Sequence, residues 1–267
     1  MGFGRVTFAA MNTRLTRSAL AFIVLALTLG GPSLGYADEV TLIAPGGIRA
    51  AIEKMIPAFE RQTGHKVKAT FGSGAGTKQQ VIRGEAFDVP VVQPPLMPVI
   101  DSGHVVKSSE TPLATVAVGV AVRKGASKPD VSTPEAVKRA LLVAKSISYP
   151  DPKGGAAAGV SFEQTLKDMG LLAQLEPKIH RAMGGAAAMA MVAKGDTEIG
   201  LTFVSEMEDP GVDIVGPLPR AVSTPTGLVG FVSTHAKSPD AARALLRYLS
   251  SSEAAAAYKS LHMQPGK

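Results

Sequence analysis

The sequence predicts an α/β fold in which two lobes, built on mixed and mostly parallel sheets, face each other across a ligand cleft. Short apolar runs typical of buried strands alternate with helical segments almost throughout the chain. Glycine-rich turns repeatedly separate a strand from the helix that follows it. In addition, the apolar segment 113–122 is long enough to pass from one lobe to the other.

The first glycine turn follows the apolar segment 40–44, which predicts a buried strand. Pro45, Gly46 and Gly47 end that strand, and the apolar spacing over 48–59 predicts a helix. A helix N-terminus has free backbone N–H groups and the positive end of the helix dipole. Glycine lets an anion approach such a backbone closely. The junction is therefore a candidate anion site, although ordinary strand–turn–helix junctions have the same pattern.

The same pattern recurs at three further junctions. Loop 72–77 follows a predicted strand at 66–71, and glycine pairs occur at 154–155 and 184–185. Ligands of open α/β sheets lie outside the carboxyl ends of the strands. Two junctions in each half of the chain would thus meet at one cleft, which predicts a cage of N–H groups for a small anion.

A few side chains near these turns are candidates for chemistry. Ser73 can donate its hydroxyl to an anion, with a plain turn as the alternative. Arg49 and Lys78 follow glycine turns and can neutralise a carboxylate or an oxyanion, with a solvated helix charge as the alternative. Glu206 follows the predicted strand 199–204 and is a weak candidate for a general base, since a surface carboxylate is the favoured interpretation. No catalytic residue is assigned.

The N-terminus predicts a cleaved signal peptide at 1–37. The apolar run 19–29 is too short for a membrane span and ends in glycine and proline, and small residues at 35 and 37 suit a cleavage site. Translation begins at either Met1 or Met11. Three arginines and no acidic residue precede the mature chain: Arg5, Arg14 and Arg17. The formal charge of +6 for the whole chain therefore falls to +3 after cleavage.

Composition excludes several classes of function. The chain has no cysteine, which excludes disulfides, thiol catalysis and thiolate metal sites. The five histidines show no metal-ligand spacing, so neither a metal nor a cofactor is expected. Basic residues do not cluster with aromatic residues, which argues against nucleic-acid binding. We expect an exported monomer whose first lobe spans 38–118, whose second spans 119–225 and whose segment 226–267 returns to the first.

Six segments of the chain carry a resemblance to a known family: 42–50, 71–75, 82–89, 119–125, 199–200 and 212–219. In these segments the chain resembles the periplasmic solute-binding proteins of ABC importers, in particular the molybdate-binding family. The resemblance covers nearly the whole mature chain. It implies the two-lobed, type II-like periplasmic binding protein fold, an oxyanion ligand, a periplasmic location and a membrane permease as partner.

The resemblance also implies where a ligand lies. The family's hydroxyl positions in the first two loops fall on Gly47 and Gly74, and its late-strand tyrosine falls on Phe203. Three hydroxyl donors are therefore lost or displaced, which argues for a ligand other than molybdate. Together with the turns, the expected ligand-binding residues are Gly46, Gly47, Arg49, Ser73, Gly74, Lys78, Gln93, Ala158, Gly185 and Phe203.

Two functions stay open from the sequence. The first is capture of a small anion, either an oxyanion or an organic carboxylate, for delivery to an importer. The second follows from periplasmic aconitate isomerases, which resemble the same family, and implies an enzyme that isomerises unsaturated carboxylic acids. The binding function is the leading hypothesis, because the residues offer no strong general base.

Overall fold

A computed structural model of the chain describes Met1, Gly2, Gly4 and residues 37–266. The predicted signal peptide 1–37 lies almost entirely outside the described residues. Among the helices that the structure describes, none is long and apolar enough to cross a membrane.

Residues 37–266 contain two sheets. The strands of the first are β1 (Glu39–Pro45), β2 (Lys66–Gly72), β3 (Val89–Val92), β4 (Thr111–Val116), β10 (Thr226–Gly230) and β11 (Gln264–Pro265). The strands of the second are β5 (Val118–Arg123), β6 (Ile147–Pro150), β7 (Ile179–Ala182), β8 (Ile199–Phe203) and β9 (Val212–Pro217). The strand orders are β11-β4-β10-β3-β1-β2 and β7-β6-β8-β5-β9.

Helices follow most of the strands. They are α1 (Arg49–Thr63), α2 (Gly74–Ile82), α3 (Met97–Asp101), α4 (Pro134–Val143), α5 (Ala157–Asp168), α6 (Leu172–Leu175), α7 (Gly185–Lys194), α8 (Pro239–Leu249) and α9 (Ser252–Ser260). Short 3₁₀ turns lie at Gly46–Ile48, Lys107–Ser109, Pro152–Gly154, Glu176–Lys178 and Val204–Glu206. The α/β class predicted from the alternation is confirmed.

The sheets are mixed, but the prediction that they are mostly parallel is wrong. Strands β1–β2, β1–β3, β6–β7 and β6–β8 pair in parallel, which is four of the nine pairings. Every antiparallel pairing contains β4, β5 or β10. Strands β4 and β5 carry the chain from the first sheet to the second, and β10 carries it back. Strand β10 runs against β3, β5 runs against β8, and β4 runs against β10 and β11.

The segment 113–122 forms two strands instead of the single long strand predicted. The chain leaves β4 of the first sheet at Val116, passes Ala117 and enters β5 of the second sheet at Val118. The expected passage between sheets is therefore present, with a break where the chain changes partners. The lobe boundaries at 38–118, 119–225 and 226–267 stay a prediction.

The core places the ends of the strands next to the starts of the helices. In β1, Val40, Leu42 and Ala44 are buried, and α1 covers them with an apolar stripe that includes Ile52 and Phe59. The turn Gly46–Ile48 joins these two elements directly. Packing of α1 against β1 therefore fixes the glycine turn at the carboxyl end of the sheet.

Candidate functional site

A cavity of about 660 Å³ lies at the carboxyl ends of six strands. Residues that follow β1, β2 and β3 contribute to its lining from the first sheet, and residues that follow β6, β7 and β8 contribute from the second. All four glycine junctions that the sequence singles out reach this cavity. A cavity of this volume suits a small organic molecule.

Ser73 organises the part of the cavity next to β2. It is the N-cap of α2, and its Oγ accepts a hydrogen bond from the N–H of Gly76 at 3.1 Å. Because the hydroxyl acts as an acceptor in this bond, its proton stays available for donation to another group. Ser73 can thus stabilise the helix and donate to a ligand at the same time.

Two helices of the second half present N-termini without a side-chain cap. Helix α5 begins after Ala156 and helix α7 after Gly184, and neither of these residues provides a capping hydrogen bond. The first intrahelical bonds to the N-cap carbonyls come from Val160 and Ala188. The N–H groups before them point out of the helix end. They form, with the helix dipoles, a favourable environment for negative charge.

Elements of the two sheets touch across the cavity. The Ser205 hydroxyl donates to the carbonyl of Gly47 at 2.7 Å, and the N–H of Ala75 donates to the carbonyl of Gly155 at 3.2 Å. A Cβ added to Gly47 would lie 2.7 Å from the Phe203 ring. Glycine is therefore needed at position 47 because the two sides approach so closely.

Glu206 is a carboxylate inside the cavity. It ends the 3₁₀ turn that follows β8, it is partly buried, and Thr202 donates its hydroxyl to Oε2. Burial raises the pKa of Glu206, since it penalises the charged form, and this outweighs the lowering by hydrogen bonds from Thr202 and the Phe203 N–H. A Cβ on Gly46 would lie 3.2 Å from Oε1, so the first sheet also borders this carboxylate.

Gln93 and Arg49 are further polar residues of the lining, which also contains the acidic residues Asp151, Glu208 and Asp209. Gln93 follows β3 and is 5% exposed, and its Nε2 has no hydrogen-bond partner among the described residues. The Arg49 guanidinium lies 4.9 Å from the centre of the Phe71 ring, and its Nε lies 3.8 Å from Oε1 of Glu53. Arg49 therefore has a fixed stacking partner on the wall of the cavity.

Nine of the ten residues predicted to bind ligand line the cavity: Gly46, Gly47, Arg49, Ser73, Gly74, Gln93, Ala158, Gly185 and Phe203. Lys78 is not part of the lining, and its Nζ donates to the carbonyl of Pro95 at 3.2 Å. The reason is that α2 begins at Gly74, so Lys78 follows the helix N-terminus by a full turn. That the nine residues hold a ligand stays a prediction.

The favoured interpretation of Glu206 as a surface carboxylate is wrong, because the residue lines the cavity and is partly buried. The position of Glu206 shortly after a predicted strand could have indicated a place at the ligand site, since ligands lie at the carboxyl ends of strands. The sequence could not show that Thr202 and Gly46 border its carboxylate.

Comparison with known proteins relates the chain to a family and to individual relatives. A family described as bacterial extracellular solute-binding protein matches residues 40–264. Over 265 residues the chain is 33% identical to an aconitate isomerase from Pseudomonas sp., and the match covers 96% of this chain and 98% of the relative.

Two further similarities concern molybdate-binding proteins. The chain is 28% identical over 218 residues to the molybdate-binding protein ModA of Azotobacter vinelandii, covering 80% of this chain and 84% of the relative. The solved structure of the periplasmic molybdate-binding protein of Azotobacter vinelandii superposes with a TM-score of 0.70 at 19% identity. That superposition covers 84% of this chain and 98% of the other, and it shows a common fold.

Proposed function

The chain belongs to the family of bacterial extracellular solute-binding proteins, and on that premise we propose that it isomerises an unsaturated polycarboxylate by moving a proton through Glu206. The cavity would close around the substrate, hold its carboxylates on backbone N–H groups and place a carbon-bound proton next to the Glu206 carboxylate. No metal or organic cofactor is required for this chemistry.

The observation that carries the proposal is the Glu206 carboxylate. Burial raises its pKa, and it lies in the same cavity as the uncapped N-termini of α5 and α7. A tetrahedral oxyanion such as molybdate has no carbon-bound proton for a carboxylate base to remove. A carbon acid, in contrast, needs a base of this kind, and a base works best when its pKa lies close to the working pH. Glu206 therefore favours an organic acid over an inorganic oxyanion.

The proton shift balances within the substrate. Glu206 removes a proton from a methylene carbon that lies between a carboxylate and the double bond. The electron pair of the broken C–H bond spreads over the allylic carbons and the adjacent carboxylate. The N–H groups of α5 and α7 stabilise that charge. The Glu206 carboxylic acid then returns the proton to the other end of the allylic system, and the double bond has moved.

The similarity to an aconitate isomerase over nearly the whole chain supports this choice of substrate class. The replacement of expected hydroxyl donors by Gly47, Gly74 and Phe203 also supports it, because a tetrahedral oxyanion depends on such donors. We therefore propose aconitate, a propene tricarboxylate, as the first substrate to test.

The test is to incubate the mature protein with cis-aconitate in D₂O and follow the products by proton NMR. We expect formation of trans-aconitate and deuterium at the allylic carbons, since the proton on Glu206 exchanges with solvent. Glu206→Gln should lower turnover by about 10²- to 10⁴-fold and still show a thermal shift with aconitate. The control Glu110→Gln changes an exposed carboxylate outside the cavity lining and should keep normal turnover.

The pH profile gives a second readout of the same group. A general base must be deprotonated, so the rate should fall as pH drops through the pKa of Glu206. Because burial raises that pKa, the fall should occur at higher pH than for an ordinary glutamate. A thermal shift with aconitate but neither turnover nor deuterium exchange in the wild type would exclude the isomerase.

The second candidate is capture of a small anion in the periplasm and delivery to a membrane permease. The uncapped N-termini of α5 and α7 favour it, because they bind anions without any chemistry. The similarity to ModA proteins supports molybdate as the ligand to compare. A thermal shift with molybdate and none with aconitate would favour this second function.

A further inference from the structure

Two histidines that are 131 positions apart in the chain face each other outside the cavity lining. His104 follows α3 and His235 follows β10, and Nδ1 of His104 lies 2.8 Å from Nε2 of His235. The centres of the two rings are 5.0 Å apart. His104 is partly buried and His235 is exposed, so solvent reaches the pair. Short sequence patterns do not contain this pair, because the fold brings it together.

Hydrogen bonds between the two loops fix the distance between the rings. The carbonyl of His104 accepts from the Thr234 N–H at 3.1 Å and from the Ser233 hydroxyl at 3.3 Å. The Thr234 hydroxyl donates to the carbonyl of Gly103 at 3.1 Å. Val105 and Ser233 form an isolated antiparallel bridge next to them. The two histidines therefore lie on backbone segments that are bonded to each other, which holds the rings in place.

The His104 ring also packs against Gly84. A Cβ added to Gly84 would lie 2.7 Å from Cε1 of His104 and 2.9 Å from both ring nitrogens, so the face of the ring covers the glycine. Gly84 has φ +74°, a left-handed conformation that glycine adopts without strain. One face of the His104 ring is thus occupied, and its Nδ1 edge is directed toward His235.

The distance between the facing nitrogens suits a shared cation. Zinc binds imidazole nitrogen at about 2.0–2.1 Å, so two rings at an octahedral or a tetrahedral angle hold their nitrogens about 2.9–3.4 Å apart. The pair therefore needs to open by only a few tenths of an ångström. Without a cation, one facing nitrogen carries a proton and the other accepts it. With a cation, each ring keeps its proton on the outer nitrogen and directs a lone pair inward.

We propose that His104 and His235 bind a divalent transition-metal cation of the class that prefers imidazole, namely Zn²⁺, Ni²⁺ or Cu²⁺. Water completes the coordination, because no acidic residue or third histidine joins the pair in the part of the chain that the structure describes. Mg²⁺ and Ca²⁺ prefer oxygen ligands and should not bind. The cation links the loop after α3 to the loop after β10. Because neither histidine lines the cavity, the site does not depend on the proposed function.

Isothermal titration of the untagged mature protein with NiCl₂ and with ZnCl₂ tests the site, and MgCl₂ is the control salt. We expect the wild type to bind Ni²⁺ and Zn²⁺ and not Mg²⁺. His104→Gln and His235→Gln should each weaken binding by about 100-fold, since loss of a group that only supports a metal ligand already costs about 10- to 100-fold. His180→Gln removes an exposed histidine on β7 and should bind these cations like the wild type.

Proton NMR of the histidine side chains locates the bound cation. ZnCl₂ should shift the Cε1 proton signals of His104 and His235, which the two variants assign, and leave that of His180 unchanged. ZnCl₂ should also raise the melting temperature of the wild type and of His180→Gln, but not that of the two pair variants. The proposal is overturned if neither cation binds the wild type at about 1 mM, or if both pair variants bind as tightly as the wild type.

Discussion

Helices α4 and α7 are both ten residues long, yet their N-termini differ in side-chain capping and in the presence of an acidic residue in the first turn. In α4, the Thr133 hydroxyl accepts from the Ala136 N–H at 3.1 Å, and Glu135 adds an acid to the first turn. Helix α7 has Gly184 in place of a cap and no acid in its first turn. Helix α5 is likewise uncapped.

The capped and uncapped N-termini also differ in their position relative to the cavity. The N-terminal residues of α4 are not part of the cavity lining, whereas those of α5 and α7 are. A cap satisfies the free N–H groups and stabilises the helix by about 1 kcal/mol. Without one, those groups and the dipole stay available to a ligand. Helices α5 and α7 thus leave donors uncapped at the cavity, whereas α2, which also begins there, is capped by Ser73.

The largest effect on turnover is expected from Gly185→Ala, a substitution at the first residue of α7. In Gly185→Ala, the added Cβ would overlap Oε2 of Glu206 and lie 2.5 Å from Oγ1 of Thr202. Displacement of the carboxylate by even 1 Å should lower turnover of cis-aconitate by about 10²-fold. Steady-state kinetics by NMR or absorbance measure this change.

Gly227→Ala is the matched control for that substitution. Its Cβ would meet Pro94 at 3.6 Å, an ordinary van der Waals contact, and Gly227 is outside the cavity lining. If both variants lost turnover equally, the approach of α7 to Glu206 would not explain the effect of Gly185→Ala.

Local sequence patterns are visible at both kinds of N-terminus. The segment 132–135 has the hydroxyl, proline and acid that are typical of a helix start, and α4 begins at Pro134 with the Thr133 cap. The glycine pairs at 46–47 and 184–185 correctly predicted turns between a strand and a helix, because the conformation of a turn depends mainly on its own residues. The α/β class and the place of the cavity followed from these local signals.

Contacts between distant segments could not be predicted in the same way. Glu206 borders Gly46 only because the turn after β8 lies against the turn after β1. The missing partner of Gln93 depends on the fold around it, and so does the break at Ala117 between two sheets. Such features arise from tertiary packing, which short sequence patterns do not contain.

The second prediction gives α5 the kind of cap that α4 has. Ala156 has φ −68° and ψ 113°, an extended conformation that suits an N-cap residue. In Ala156→Asp, the carboxylate should bind the free N–H groups of α5 and compete with the ligand for them. We expect aconitate affinity to fall by about 10-fold and ligand-free stability to rise by about 1 kcal/mol.

Isothermal titration and urea denaturation measure the two effects. Ala156→Asn serves as a control with a neutral cap, which fills the same N–H groups without adding charge. It should stabilise the ligand-free protein and weaken aconitate less than Ala156→Asp does. An unchanged affinity in both variants would mean that the N-terminus of α5 does not contact the ligand.

The smallest effect is expected from removing the cap of α4. Thr133→Ala leaves the Ala136 N–H without its hydroxyl partner and should lower the free energy of unfolding by about 1 kcal/mol. For a chain of this size, the melting temperature should fall by about 2–4 °C. Aconitate affinity should not change, since this end of α4 is outside the cavity lining. Thr133→Ser keeps the hydroxyl and should retain most of the stability. A loss of aconitate affinity in Thr133→Ala would show that the N-terminus of α4 also affects ligand binding. The contrast between a structural N-terminus on α4 and a ligand-facing N-terminus on α7 would then be wrong.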